Sequence, residues 1–115
     1  MDSLEMYYFL ILGVQLIHSI EELSSGFHKK WYLFKMSFST FLIFEISFSL
    51  FWIIIGLYGD FPFRNYLQAF FLILMFANGV QHIVWAGFAK KYVPGLVTAP
   101  LLILVFLLFY FRTAL

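Results

Sequence analysis

Histidine and glutamate side chains lie inside otherwise apolar stretches of this 115-residue chain. His18, Glu21 and Glu22 lie near the end of the first stretch, Glu45 lies in the second, and His82 lies in the third. Ionisable side chains are expensive in such surroundings and commonly mark functional sites. Imidazole and carboxylate groups are ligands for zinc, for iron and for manganese. The residue types therefore predict a site for a divalent metal, one of these three.

The spacing of these residues predicts a ligand set. His18 and Glu21 are three positions apart, a spacing at which one helix gives two ligands to one ion. Di-metal sites in helix bundles use a glutamate and a histidine at the same spacing, together with single glutamates from other helices. Glu45 and His82 are predicted to complete the set, which would bind one or two ions.

The neighbouring polar residues are given supporting roles. Glu22 is predicted to act as an acid or base or as a further ligand, and Asn78 is predicted to orient the reacting groups. Five more residues are predicted to contact the substrate or to support the ligands: Gln15, Gln81, Tyr92, Gly95 and Thr98. For Gln15 and Gln81 we favour the plainer interpretation that they hold helices together. The segment 92–99 is interpreted as a turn that opens a helix, whose free N–H groups would suit an anionic headgroup or an oxyanion.

Four apolar stretches must position these side chains. They cover about residues 4–23, 37–58, 65–89 and 96–112, and each is near the ~20 residues that cross a bilayer as a helix. The composition agrees, since 63% of the residues are hydrophobic and only 11% are charged, against about 25% charged residues in soluble domains. Because short connections make successive helices antiparallel neighbours, we predict an all-α fold. It is a single domain, 1–115, in the form of a four-helix transmembrane bundle that runs up-down-up-down.

Helical periodicity places the polar residues on inward faces. At 100° per residue, Gln15, Glu21 and Glu22 all lie within about 60° of His18. His18, Glu45 and His82 lie about six to eight residues from the same end of their helices, which is roughly 9–12 Å of helix. Three helices of alternating direction therefore bring their polar residues to one level.

The distribution of basic residues predicts the orientation. Lys29, Lys30, Lys35, Lys90 and Lys91 fall in the first and third connections, against two arginines on the other side. Positive charge favours the cytoplasmic side, so the loops 24–36 and 90–95 are predicted to be cytoplasmic and both termini to lie outside. The net charge of +1 gives no indication of a nucleic-acid partner.

Three short motifs resemble those of a known family. Residues 18–22 match HxxEE, residues 78–82 match NxxxH, and residues 92–99 match YxPGxxTA. In this order, and over about residues 10–110, they resemble the HXXEE-domain family of small membrane proteins. The resemblance adds weight to the motif residues and implies no established reaction. Glu45 is chosen on helical periodicity alone.

These observations favour a metal-dependent membrane enzyme that acts on a lipid or another apolar substrate. Hydrolysis, isomerisation and oxidation are all compatible with such a metal site. Three alternatives stay open. The first is a metal-free enzyme, such as an isomerase, that does acid–base chemistry. The second is a small transporter or proton-relay subunit. The third is a membrane assembly protein whose polar residues only pack.

Overall fold

Apolar runs that are bounded by capping residues form the helices of this chain. The computed structural model describes residues 2–114, and this part of the chain contains five α-helices and no strand. The helices are α1 (Ser3–Ser24), α2 (Phe27–Lys30), α3 (Phe38–Leu57), α4 (Arg64–Ala89) and α5 (Ala99–Ala114). The predicted all-α fold class is confirmed.

Side-chain caps fix where two of the long helices begin. Asp2 accepts a hydrogen bond from the backbone N–H of Glu5 at 2.8 Å, and Ser37 accepts one from Thr40 at 3.1 Å. Such caps satisfy N–H groups that have no partner within the helix. The helix α4 ends where Lys90 adopts a left-handed conformation with φ of 56°.

Three of the described helices, α1, α3 and α4, are long and apolar enough to cross a membrane. The helix α5 is apolar but shorter, with 16 residues. Large apolar side chains cover the outer surface, among them Ile43, Leu57 and Val97, which are 66%, 74% and 70% exposed. This apolar exterior suits contact with lipid.

Small residues set how closely the helices approach one another. A Cβ atom at Gly79 would lie 2.8 Å from the carbonyl oxygen of Ala99, so α4 and α5 pack almost backbone to backbone. A Cβ at Gly56 would lie 2.9 Å from the ring of Tyr8, which brings α3 against α1. By contrast, α3 and α4 pack less extensively against each other than α4 packs against α5.

Two apolar clusters flank the buried polar residues. The larger contains Tyr8 of α1, Trp52 of α3 and Phe71 of α4, and the smaller contains Phe41 and Trp85 of the same α3 and α4. Apart from Gln68, the buried polar residues of these three helices fall between the two clusters. They are Gln15, His18, Ser19 and Glu22 of α1, Glu45 of α3, and His82 of α4. The polar layer is therefore enclosed between two apolar layers.

The structure adds to the predicted helices at two places. The connection 24–36 contains the short helix α2, which the sequence analysis did not anticipate. The last helix begins at Ala99 rather than near residue 96, after a segment in which Gly95 has a φ of +94°. Residues 94–98 instead form turns at the level of the polar layer.

Candidate metal centre

Two histidines and one glutamate meet at the centre of the polar layer. The Nε2 atoms of His18 and His82 are 3.2 Å apart. One carboxylate oxygen of Glu22 lies 3.1 Å from Nε2 of His82 and 3.6 Å from Nε2 of His18. Both histidines are fully buried and Glu22 is 4% exposed. Three atoms of the kind that bind metal ions therefore face one point.

The size of this triangle can be compared with a zinc coordination sphere. Tetrahedral ligands at 2.0–2.1 Å from zinc lie about 3.3 Å from one another. The three sides of the triangle are 3.1, 3.2 and 3.6 Å, which is close to that separation. The three residues therefore fit a small divalent cation.

The hydrogen bonds of Thr98 fix the tautomer of His18. The hydroxyl of Thr98 donates to a carboxylate oxygen of Glu21 at 2.7 Å, since an ionised carboxylate can only accept. The same hydroxyl lies 2.6 Å from Nδ1 of His18 and must accept there. The proton of a neutral His18 is thereby assigned to Nδ1, and the lone pair of Nε2 points at the other two atoms. Metal-binding histidines are commonly oriented by such a bond from their second nitrogen.

Glu21 holds the turn that precedes α5. Its carboxylate accepts hydrogen bonds from the backbone N–H groups of Gly95, Val97 and Thr98, at 3.0–3.1 Å. It also accepts from the hydroxyl of Tyr92 at 2.6 Å. Partial burial, and then this bond, raise the pKa of Tyr92 above its usual range. Glu21 is therefore a structural acceptor for the segment before α5, and it is linked to the triangle through Thr98 and through Gly95.

Gly95 allows this turn to lie against both imidazoles. A Cβ atom there would be 2.5 Å from Cε1 of His82 and 2.8 Å from Cε1 of His18. Only glycine fits at this position, because it has no Cβ atom and readily adopts a φ of +94°. The turn therefore closes one side of the triangle with backbone alone.

Glu45 lies beside the triangle in the polar layer. It is 5% exposed, and the hydroxyl of Ser19 donates a hydrogen bond to its carboxylate. Glu45 and Glu22 both line the same cavity. A second buried carboxylate is therefore available next to the three clustered residues.

An apolar cleft of about 690 Å³ leads to these carboxylates. Residues of α3 and α4 form its two sides, α1 contributes Gln15 and Glu22, and the loop 31–36 covers one end. Phe44, which is 55% exposed, lies at the outer margin, whereas Glu22 is buried at the inner end. The cleft thus opens on the side of the protein, between α3 and α4, which pack less extensively against each other than α4 packs against α5.

The polar lining of the cleft is confined to a few side chains. Gln81 donates to Asn78 at 3.1 Å and accepts from the hydroxyl of Tyr32 at 3.1 Å. Gln15 is buried, and its amide oxygen has no hydrogen-bond partner among residues 2–114. These amides are the groups that a polar part of a bound molecule would meet.

The structure separates the predicted ligand set. It brings His18 and His82 together, but it places Glu22 rather than Glu21 beside them, because Glu21 faces the turn before α5. Glu45 lines the cleft instead of closing the triangle. Among the supporting residues, Asn78, Gln81 and Gln15 line the cleft, while Tyr92, Gly95 and Thr98 surround Glu21.

Two buried polar residues are not among the site residues predicted from the sequence. Ser19 follows His18 by 100° around the helix, which turns it toward Glu45 on α3. The position of Ser19 next to His18 was the sequence signal for its contact with Glu45. Gln68 is 1% exposed in α4, and neither of its amide atoms has a partner within the described range. The sequence signal for Gln68 was the presence of a glutamine within an apolar stretch.

Comparison with protein families settles the family. A family model described as a protein of unknown function with an HXXEE motif matches residues 9–110. The chain belongs to this HXXEE family. The resemblance drawn from the three motifs is thereby confirmed. Searches of curated proteins and of solved structures found no match.

The geometry explains why the HXXEE protein carries three motifs together. In the first motif His18 and Glu22 face the triangle and Glu21 faces away from it. The second motif supplies His82 to the triangle and Asn78 to the cleft. The third motif supplies the turn that Glu21 binds and the hydroxyl that orients His18. The motifs thus form one connected unit.

Proposed function

We propose that the protein is a metal-dependent membrane enzyme that acts on a lipid or another apolar substrate. The observation that supports it best is the triangle of His18, Glu22 and His82, with sides of 3.1–3.6 Å, whose carboxylate residue Glu22 also lines an apolar cleft. A structural role alone would not require two imidazole nitrogens and a carboxylate to face one another where lipid surrounds the helices.

The topology in this proposal is a bundle of four crossing helices. The helices α1, α3, α4 and α5 cross in alternating directions, and 16 residues of α5 span about 24 Å at 1.5 Å per residue. The lysine-bearing segments 24–36 and 90–95 lie in the cytoplasm, following the positive-inside rule. The triangle then lies in the cytoplasmic half of the bilayer.

Each side chain of the centre has a role in this proposal. His18, Glu22 and His82 hold the ion, and Thr98 and Glu21 keep His18 in the binding tautomer. An ion at this position would polarise a substrate carbonyl or activate a water molecule. Glu45, which Ser19 orients, exchanges protons with the substrate. The metal is zinc, iron or manganese.

The cleft supports an apolar substrate. Its volume of about 690 Å³ falls in the range of ligand pockets, which is about 300–1,000 Å³. Phenylalanine side chains such as Phe44 and Phe48 line it, whereas Asn78 and Gln81 form a local polar patch. A molecule with an apolar chain and one polar reacting group would enter sideways from the bilayer, with its polar end toward Glu22.

A second candidate function is metal-free acid–base catalysis. It is favoured by the two carboxylates in the lining of the cleft, Glu22 and Glu45, of which Glu45 accepts a hydrogen bond from Ser19. One carboxyl group would donate a proton to the substrate and the other would accept one, as in double-bond isomerisation. Turnover that persists in chelator distinguishes this candidate from the first.

Metal content and lipid turnover test the proposal. Detergent-purified wild type and His28→Ala, which changes the histidine outside the triangle, are expected to carry about one equivalent of zinc, iron or manganese. His18→Ala is expected to carry none. In nanodiscs made from a total lipid extract, mass spectrometry is expected to detect loss of a lipid species that stops on chelation. Wild type without any of these metals would contradict the metal site. Unchanged lipids with metal-loaded protein would contradict the enzymatic role.

Removing the hydroxyl of Thr98 is expected to weaken metal binding. Thr98→Val keeps the shape of the side chain but leaves Nδ1 of His18 without its acceptor, so the imidazole loses its fixed tautomer. Loss of such a supporting bond costs about 10–100-fold in metal affinity. Competition with a metallochromic chelator measures the change, and Thr98→Ser, which keeps the hydroxyl, is expected to bind like wild type. Equal affinity in Thr98→Val would exclude this positioning role.

A further inference from the structure

A second cavity, of about 390 Å³, lies near the lysine-rich end of the molecule. Its lining joins two segments that are about 60 residues apart in the sequence, one around α2 and the other around the end of α4. Four lysines line it: Lys29, Lys30, Lys35 and Lys91. No carboxylate of the described chain is part of this lining. The fold therefore gathers four positive charges around one concave space.

Two of these lysines are held by backbone carbonyls, and none of the four forms an ion pair within residues 2–114. The ammonium group of Lys30 donates to the carbonyl oxygen of Ser25 at 3.0 Å, and that of Lys35 donates to the carbonyl of Trp31 at 2.6 Å. Ion pairs within residues 2–114 involve histidine and arginine as the basic partners, and none of the lysines. Like charges that share a pocket repel one another, so an anion bound among them would relieve the repulsion.

The surroundings of the cavity point to the membrane interface. Trp85 and Tyr92 also line it, and such aromatic side chains are enriched where membrane helices leave the hydrocarbon. The cavity lies where α4, a helix long enough to cross a membrane, ends. Basic pockets at this level bind lipid head groups. The anion that reaches this position most readily belongs to the bilayer itself.

We propose that this lysine pocket binds the phosphate headgroup of an anionic membrane lipid. The pocket is distinct from the cleft between α3 and α4, since the two share no lining residue. The inference requires that the helices span a membrane, but it does not depend on a metal or on catalysis. A failure of the metal experiment would leave it standing.

Lipid binding to paired variants tests the inference. Detergent-purified protein is given equal amounts of phosphatidylglycerol and phosphatidylcholine, and native mass spectrometry counts the bound lipids. Wild type is expected to retain phosphatidylglycerol preferentially. Lys29→Gln/Lys91→Gln is expected to lower this binding by about 10- to 30-fold. The control Lys90→Gln/Arg112→Gln removes the same charge outside the pocket and is expected to bind like wild type.

Three results would overturn the inference. The first is equal retention of the two lipids by wild type. The second is an equal loss in the control variant, which would show a diffuse charge effect rather than a pocket. The third is displacement of phosphatidylglycerol by millimolar inorganic phosphate, which would identify a site for a free anion. Persistence of the lipid in phosphate supports the headgroup.

Discussion

Replacing Glu22 with glutamine is expected to abolish metal binding at the proposed centre, whereas the same change at the adjacent Glu21 is expected only to weaken it. Glu22 supplies the oxygen that lies 3.1 Å from Nε2 of His82. A third of a metal-binding free energy of about 10–16 kcal/mol, the share of one among three ligands, is about 3–5 kcal/mol and corresponds to about 10²- to 10⁴-fold in affinity. Glu21 acts through Thr98, so its replacement is expected to cost about 10-fold.

The two glutamates should also differ in their effect on stability. Glu21 accepts several hydrogen bonds from the segment before α5. In metal-free protein, Glu21→Gln is therefore expected to lower the free energy of unfolding by about 1.5–3 kcal/mol. Glu22→Gln is expected to lower it further, by about 3–5 kcal/mol, because His18 and His82 lose the buried carboxylate that they contact.

Chelator competition and thermal unfolding of the metal-free proteins in one detergent separate these effects. Both variants make the same chemical change at neighbouring positions, so each is the control of the other. The opposite pattern, with metal retained in Glu22→Gln and lost in Glu21→Gln, would restore the ligand set predicted from the sequence.

Replacing Gly95 with alanine is expected to disable the centre without touching a ligand. The new methyl group would meet Cε1 of His82 at 2.5 Å and Cε1 of His18 at 2.8 Å, so both imidazoles must move. Metal sites tolerate distance errors of only about 0.2 Å. The positive φ of residue 95 adds strain of about 1–3 kcal/mol. We expect metal affinity to fall at least as far as in Glu22→Gln, together with a lower unfolding temperature.

A second glycine provides the matched control. Gly87 lies in α4, and a Cβ there would meet nothing within 4 Å. Gly87→Ala is expected to leave metal affinity unchanged and to stabilise the helix by up to about 1 kcal/mol. The same titration and unfolding measurements apply to both variants. Wild-type affinity in a folded Gly95→Ala protein would show that the turn does not confine the histidines.

A transporter is less well supported than an enzyme by the arrangement of buried polar groups. The ionisable ones, His18, Glu22, Glu45 and His82, lie in one layer between two apolar clusters. Gln68 is a buried polar residue outside that layer, and glutamine does not titrate. A proton relay would need ionisable groups to continue through the bilayer.

Much of the fold follows from local sequence properties. Long apolar runs interrupted by glycine, proline and lysine indicate where helices begin and end, and α1, α3 and α4 lie within one or two residues of the predicted stretches. The short helix α2 and the late start of α5 depend on turns, which the lengths of the apolar runs do not reveal. In particular, Gly95 takes a positive φ in a turn that lies against two imidazoles.

The histidine and glutamate cluster was evident from the sequence, because ionisable residues in apolar stretches stand out and helical periodicity puts them on one face. Only the tertiary structure decided which glutamate joins the histidines. Glu21 and Glu22 both lie within about 60° of His18, on opposite sides of it. The choice depends on which helix packs on each side. Glu21 binds the segment before α5, and Glu22 contacts His82 of α4. Helical periodicity gives the direction of each side chain around its own helix, but it does not give the positions of the neighbouring helices, which depend on packing.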